Sequence, residues 1–147
     1  FLISTNPGEP VKPLNKIASG GELSRVMLAL KTVLAAADEA DTLVFDEIDT
    51  GIGGEVARAV AEHLQRLAQN KQILCITHLA VIAASADTHI KIQKIQSEHT
   101  SRTSAQIIEE NMRVEEIARM LAGDEVSEAS RIHAKELLGT AKNRLCF

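Results

Sequence analysis

Leu43-Val44-Phe45-Asp46-Glu47 is a short apolar run that ends in two adjacent carboxylates. Asp38 to Asp41 is polar, so Thr42 to Phe45 reads as a buried strand rather than part of a longer helix. A glycine-rich turn follows, Thr50-Gly51-Ile52-Gly53-Gly54, and then an amphipathic helix carrying Val56, Val60, Leu64 and Leu67. Gln72 to Thr77 is a second strand, with Ile73, Leu74, Cys75 and Ile76 apolar in succession. Continuous apolar strands joined by a helix predict a parallel sheet covered on both faces.

Working outward, Phe1 to Thr5 reads as a short strand, Asn6-Pro7-Gly8 as a turn, and Pro10 and Pro13 keep the next stretch extended. From Glu22 a helix is expected. Leu23, Val26, Met27, Leu30, Val33, Leu34 and Ala37 recur at steps of three and four, and Asp38 to Asp41 ends it. Beyond His78 come a short helix, Leu79 to Ala86, and an edge-like strand with Ile90, Ile92 and Lys94. Ser97 to Ser101 is a polar turn, and Thr103 to Ile108 the hairpin partner. The C-terminal end is helical: Val114, Ile117 and Leu121 with Gly123 as a stop, then Ser127 capping a helix with Ile132, Leu137 and Leu138. The expected class is α/β, with a mostly parallel sheet flanked by helices.

Composition removes several classes of function. The 147 residues are 45% hydrophobic and 24% charged, which is ordinary for a folded domain and unlike a disordered chain. No apolar run reaches the roughly 18 residues of a membrane helix, and Val26 to Ala37 is broken by Lys31; no membrane partner is expected. With only Phe1, Phe45 and Phe147 as aromatic residues, a stacking platform for single-stranded nucleic acid is not expected. Cys75 and Cys146 are too few and too far apart for a zinc site or a disulfide framework. Cys75 reads as a reduced core thiol, in keeping with the cytoplasm. The net charge of −4 arises between Glu109 and Glu136, and no dense basic stretch marks a nucleic-acid groove. The chain starts at Phe1, and the expectation is a piece of a larger protein.

Three places carry chemistry. In an open parallel sheet, ligands bind beyond the carboxyl ends of the strands. Asp46 there suits Mg²⁺, which takes few carboxylates together with waters and phosphate oxygens. Glu47 beside it suits the orientation or deprotonation of an attacking water. An ordinary strand end running into solvent has the same sequence. Ala18-Ser19-Gly20-Gly21-Glu22 precedes a helix, where free N–H groups, the helix dipole and a serine hydroxyl suit a phosphate. A plain helix cap with flexible glycines also fits. Thr77-His78 ends the next strand, where His78 can donate to a phosphate or simply terminate the strand. His63, His89, His99 and His133 carry no such placement.

The three occur in a fixed order, with Asp49 two residues after the carboxylate pair. Together they resemble the second half of an ATP-binding-cassette (ABC) ATPase head, a P-loop NTPase-like fold. The resemblance makes Ser19-Gly20-Gly21-Glu22 the signature motif, Asp46-Glu47 the end of Walker B, Asp49 the D-loop aspartate and His78 the switch histidine. Asn6-Pro7-Gly8-Glu9, Ile17 to Arg25, Phe45 to Ile52, Ile76-Thr77-His78-Leu79 and Arg113 to Leu121 narrow it to SMC-like (structural maintenance of chromosomes) ATPases of bacterial double-strand-break repair and recombination. Glu22, where transporters commonly have glutamine, agrees. The resemblance covers residues 1–147 as the C-terminal part of such a head. It implies ATP and Mg²⁺ as cofactors and a second head as homodimeric partner. It also implies DNA engaged through the full-length protein, and a bacterial cytoplasmic, nucleoid-associated location. Glu47 and His78 would be catalytic, Asp46 the metal ligand, and Ser19, Gly20, Gly21, Glu22 and Asp49 nucleotide-binding.

The eight glycines contain no G-x-x-x-x-G-K-[ST], so this chain has no P-loop. The family carries it in an N-terminal lobe, with a long coiled coil between the lobes. The segment is expected to be inactive alone. Two other readings fit the residues: the head of another ABC ATPase, such as a transporter subunit, and a non-hydrolysing dimerisation module on the same fold.

Overall fold

The computed structural model describes residues 2–4, 8, 10–13, 19–35, 39–96 and 100–143, with backbone alone at 142 and 143. Several expectations fall outside these residues: the ends of the first strand at Phe1 and Thr5, Asn6, Pro7 and Glu9, Ile17 and Ala18, Ala37 and Asp38, positions 97–99 with His99, and Cys146 and Phe147. The chain divides into two compact units, Phe1–Thr77 and His78–Phe147.

The first unit holds β1 (Leu2–Ile3), β2 (Lys12–Pro13), α1 (Gly20–Val33), β3 (Thr42–Phe45), α2 (Gly54–Ala68) and β4 (Gln72–Cys75). β3 and β4 pair in parallel, Thr42 with Gln72 through Phe45 with Cys75, and the Ile76 N–H extends the ladder to the Phe45 carbonyl at 2.9 Å. β1 and β2 form a separate antiparallel pair. A parallel pair needs a long crossover, and α2 supplies it. Its buried stripe is Ala57, Val60, Ala61, Leu64 and Leu67. At 100° per residue this stripe centres near Leu64, which leaves Val56 at its margin and exposed. Leu43 and Phe45 are buried on one face of β3, each burial stabilising by about 1.5–3 kcal/mol.

The opposite face of the pair is open. Val44 is 65%, Leu74 45% and Ile76 61% exposed, so the expected cover on both faces is present on one only. Helix α1 shows the same inversion. The apolar stripe that predicts it does not face inward: Leu23, Met27, Val33 and Leu34 are exposed, and Val26 and Leu30 are half-buried. The buried residues are Gly21 and Leu28, on the other side of the helix. α1 packs on α2, and α2 on β4.

The second unit holds α3 (Ala80–Ala84), β5 (His89–Gln96), β6 (Ser101–Ile108), α4 (Glu110–Ala122) and α5 (Glu128–Asn143). β5 and β6 form the expected hairpin, paired from His89–Ile108 to Gln96–Ser101, so Ser101 belongs to the strand and not to the turn. Its isoleucines, Ile90, Ile92, Ile95 and Ile107, are exposed, while Lys91 between them is half-buried and pairs with Glu116 of α4 (Nζ to Oε2, 2.5 Å). Glu116 is 6% exposed and also receives Arg119 at 2.6 Å. Burial pushes its carboxyl up, but the hydrogen bonds from Arg119 and Lys91 outweigh this and hold it below the usual range. Ala80, Ala83, Ala84, Ile117, Ala118 and Ala134 form the core. Small residues let three helices approach closely here. Arg113 binds the carbonyls of Ala83, Ala84, Ala86 and Asp87, satisfying the orphan acceptors after the short α3. Gly123 ends α4 at φ 78°, a conformation that glycine adopts without penalty. Ser127 Oγ accepts the Ser130 N–H at 3.2 Å, as a cap before α5.

Candidate functional site

Two segments far apart in sequence meet in the first unit. One is the start of α1. Ser19 is extended (φ −131°, ψ 144°), and its Oγ accepts the Glu22 N–H at 3.2 Å. This is an N-cap, so α1 begins at Gly20, two residues before the position expected from its apolar pattern. A capping hydroxyl uses a lone pair and keeps its proton available to donate. Glu22 adds a carboxylate in the first turn, where the helix dipole favours negative charge.

The other segment is the turn after β3. The Asp46 carboxylate Oδ1 accepts the Glu47 N–H at 2.8 Å, and both side chains are exposed. Glu47 has φ 57°, in the left-handed region, at a cost of about 1–2 kcal/mol for a residue with a Cβ. Such strain is concentrated at functional sites. The Thr50 N–H closes the turn on the Glu47 carbonyl at 3.0 Å. Ile48 is fully buried and anchors it. Asp49 is 3% exposed and receives the Thr77 hydroxyl at 2.6 Å, tying the turn to the segment that follows β4.

The two segments are joined by side chains that the sequence reading did not single out. Ser24 Oγ donates to the Asp46 carbonyl at 2.7 Å. Arg25 Nη1 donates to the carbonyls of Ile48 at 3.2 Å and Thr50 at 3.0 Å. The signal for them was position: both fall on the side of α1 away from its apolar stripe. The Glu47 carboxylate lies over Gly20, where a Cβ would collide with it. At Gly21 a Cβ would stand 2.8 Å from the Glu47 carbonyl oxygen and 3.0 Å from Thr50 Cβ.

The two glycines therefore differ in a measurable way. Gly21→Ala forces backbone apart and is expected to destabilise this chain by about 1–3 kcal/mol. Gly20→Ala meets only the end of a flexible side chain and is expected to leave stability nearly unchanged. Denaturant unfolding of the two variants checks this, and equal losses would contradict the packing.

His78 is exposed and is the first residue of the second unit. Cys75 carries a free thiol on β4. Burial pushes it up to about 11, with the Asp49 and Asp46 carboxylates adding to the effect, so it stays protonated at neutral pH. Among the described residues, no three histidine, cysteine or acidic side chains converge to hold a metal by themselves. Asp46 alone still fits Mg²⁺: it is an exposed carboxylate at the carboxyl end of a parallel strand, and Mg²⁺ completes its shell with waters and phosphates. Among those residues, too, no helix is long and apolar enough to cross a membrane.

No protein-family model matches the chain. The DNA repair protein RecN of Treponema pallidum is 66% identical over 139 residues, which is 94% of this chain and 24% of that protein. RecN of Bacillus subtilis is 49% identical over 141 residues, 96% of this chain and 24% of the relative. A solved chain from a study of ATP-driven dimerization and DNA-stimulated activation of SMC ATPases aligns with 80% of this chain and 79% of its own length, at 25% identity and a TM-score of 0.49. The chain spans about a quarter of the length of the RecN proteins it matches. Across nearly all of its residues the chain is similar to RecN proteins, matching the C-terminal part of those longer proteins.

Proposed function

We propose that this segment is the C-terminal part of an ATPase head that dimerises around ATP in bacterial DNA double-strand-break repair and recombination. The observation that carries the reading is the match to RecN along nearly the whole chain, with Asp46 and Glu47 exposed at the carboxyl end of a parallel strand and Ser19 exposed at the start of α1. Each composite site takes the P-loop, Asp46 and Glu47 from one head, and Ser19, Gly20 and Gly21 from the other. Two-fold symmetry makes two such sites.

Within that site, the Ser19 hydroxyl donates to the γ-phosphate while its lone pair keeps the cap. Gly20 and Gly21 let the α1 N-terminus approach the phosphate closely. Asp46 would hold Mg²⁺, and the ion would supply neutralisation of phosphate charge. Glu47 turns on its own side-chain bonds to orient and deprotonate water. Glu22 favours the start of α1, and Asp49 keeps the 46–50 turn in place through Thr77. His78 takes the switch role on the sequence match alone. DNA is engaged through the full-length protein, in the cytoplasm at the nucleoid. Positioning and charge stabilisation do most of the work in phosphoryl transfer, so assembling the site by closure turns hydrolysis on.

The chain alone has only half of each site. Titration calorimetry of this chain with ATP and Mg²⁺ is expected to give no binding heat and no turnover. A stoichiometric micromolar isotherm would overturn the reading. The open faces at Val44, Leu74 and Ile76 and at Leu23 and Met27 also make the isolated chain prone to self-association.

A further inference from the structure

Arg25 sits at the joint between two things that the proposed site keeps separate. In a head dimer, the start of α1 serves the partner's nucleotide, while Asp46 and Glu47 of the same head serve its own. The structure fastens these two together. Arg25 Nη1 holds the carbonyls of Ile48 and Thr50, on either side of Asp49, from a residue only six positions after the Ser19 cap. Ser24 holds the Asp46 carbonyl one residue earlier. Gly21 leaves no space for a Cβ between α1 and this turn. The first two turns of α1 and the 46–50 turn are therefore directly linked.

We infer that Arg25 is a positioning residue that couples the two composite sites: engagement of a phosphate by Ser19-Gly20-Gly21 in one site sets Asp46 and Glu47 in the other. This rests on the composite-site reading above. Arg25 is assigned no contact with the nucleotide in this arrangement. Its guanidinium donates to backbone carbonyls only, so it transmits position rather than charge. When the partner's nucleotide draws the start of α1 forward, the bonds to Ile48 and Thr50 carry the turn with it. Closure at one site then favours the productive geometry at the second, and by linkage the reverse holds too.

The consequence is cooperativity between two sites, for which the Hill coefficient is at most 2. The test uses the full-length protein and measures ATP hydrolysis against ATP concentration, with nucleotide affinity and thermal unfolding measured alongside. The parent is expected to give a Hill coefficient well above 1. Arg25→Met keeps the aliphatic stem but has no donor, and is expected to bring the coefficient to about 1 with nucleotide affinity of the head retained. Both bonds come from a single nitrogen, so Arg25→Lys, with one donor nitrogen of nearly equal reach, is expected to restore most of the cooperativity. A residue that only stabilised the fold would lower the unfolding temperature and leave the Hill coefficient alone.

Unchanged cooperativity in Arg25→Met, or a parent without cooperativity, overturns the inference. Ser19→Arg run in parallel separates the two ideas. Normal hydrolysis by Ser19→Arg removes the composite site itself. Lost hydrolysis by Ser19→Arg with unchanged cooperativity in Arg25→Met removes only the coupling.

Discussion

Glu47→Gln in the full-length protein lowers ATP turnover by roughly 10²- to 10⁴-fold, the worth of a positioned general base. The substitution is conservative in every other respect. Glu47 is exposed, and glutamine has the same length and meets the same backbone strain at φ 57°. The fold and the lie of the turn are therefore retained, and ATP still binds. Because closure precedes hydrolysis in the proposed cycle, closed dimers accumulate. Single-turnover hydrolysis together with sizing in the presence of ATP reads both effects. Asp46→Asn acts at a different step: its weaker oxygen donor loosens Mg²⁺, so nucleotide affinity becomes less dependent on Mg²⁺. Parental turnover in both variants would remove Asp46 and Glu47 from the chemistry.

Ser19→Arg abolishes hydrolysis as completely, but from the opposite head. The arginine stands where the partner's γ-phosphate must enter, and it also removes the hydroxyl that caps α1 at 3.2 Å from the Glu22 N–H. Loss of a cap costs about 0.5–2 kcal/mol, so the variant is expected to melt slightly earlier and remain folded. ATP still binds to its own P-loop. Mixing shows that the defect acts in trans. A P-loop-dead protein and a Ser19→Arg protein, each inactive, form mixed dimers with one doubly damaged site and one intact site. With independent sites, activity returns on mixing. With the coupling assigned to Arg25, it returns only weakly while the mixed dimers still form, so dimerisation is measured in the same samples. Full ATPase activity of Ser19→Arg alone would reduce Ser19-Gly20-Gly21 to a helix cap.

Much of this arrangement is legible in residue order. The apolar runs at Thr42–Phe45 and Gln72–Cys75 with a helix between them point to a parallel pair, because parallel strands need a long crossover and the helix supplies one. Gly123 and Ser127 mark a helix stop and a helix start through backbone chemistry that acts within a few residues. Ser19 marks the start of α1 for the same reason, whereas the apolar pattern, which acts only through the faces of the formed helix, places that start two residues late. The candidate residues Ser19, Gly20, Gly21, Asp46 and Glu47 were readable because glycine, hydroxyl and carboxylate chemistry is local.

What residue order left open is which side of each element turns inward. Periodicity shows that α1 has an apolar side at Leu23, Met27 and Val33, and that β5 has one at Ile90 and Ile92. Periodicity measures the preference of a face for leaving water, not the surface that will receive it. In the folded chain, α1 instead turns Gly21 and Leu28 inward, while Ser24 and Arg25 on the same side bind the carbonyls of Asp46, Ile48 and Thr50. β5 offers Lys91 to a buried Glu116 for the same kind of reason. The sequence alone thus determined the elements, their order and the residue types at the strand and helix ends. Only the tertiary structure decided that the start of α1 and the turn after β3 are joined, since that depends on hydrogen bonds between residues more than twenty positions apart.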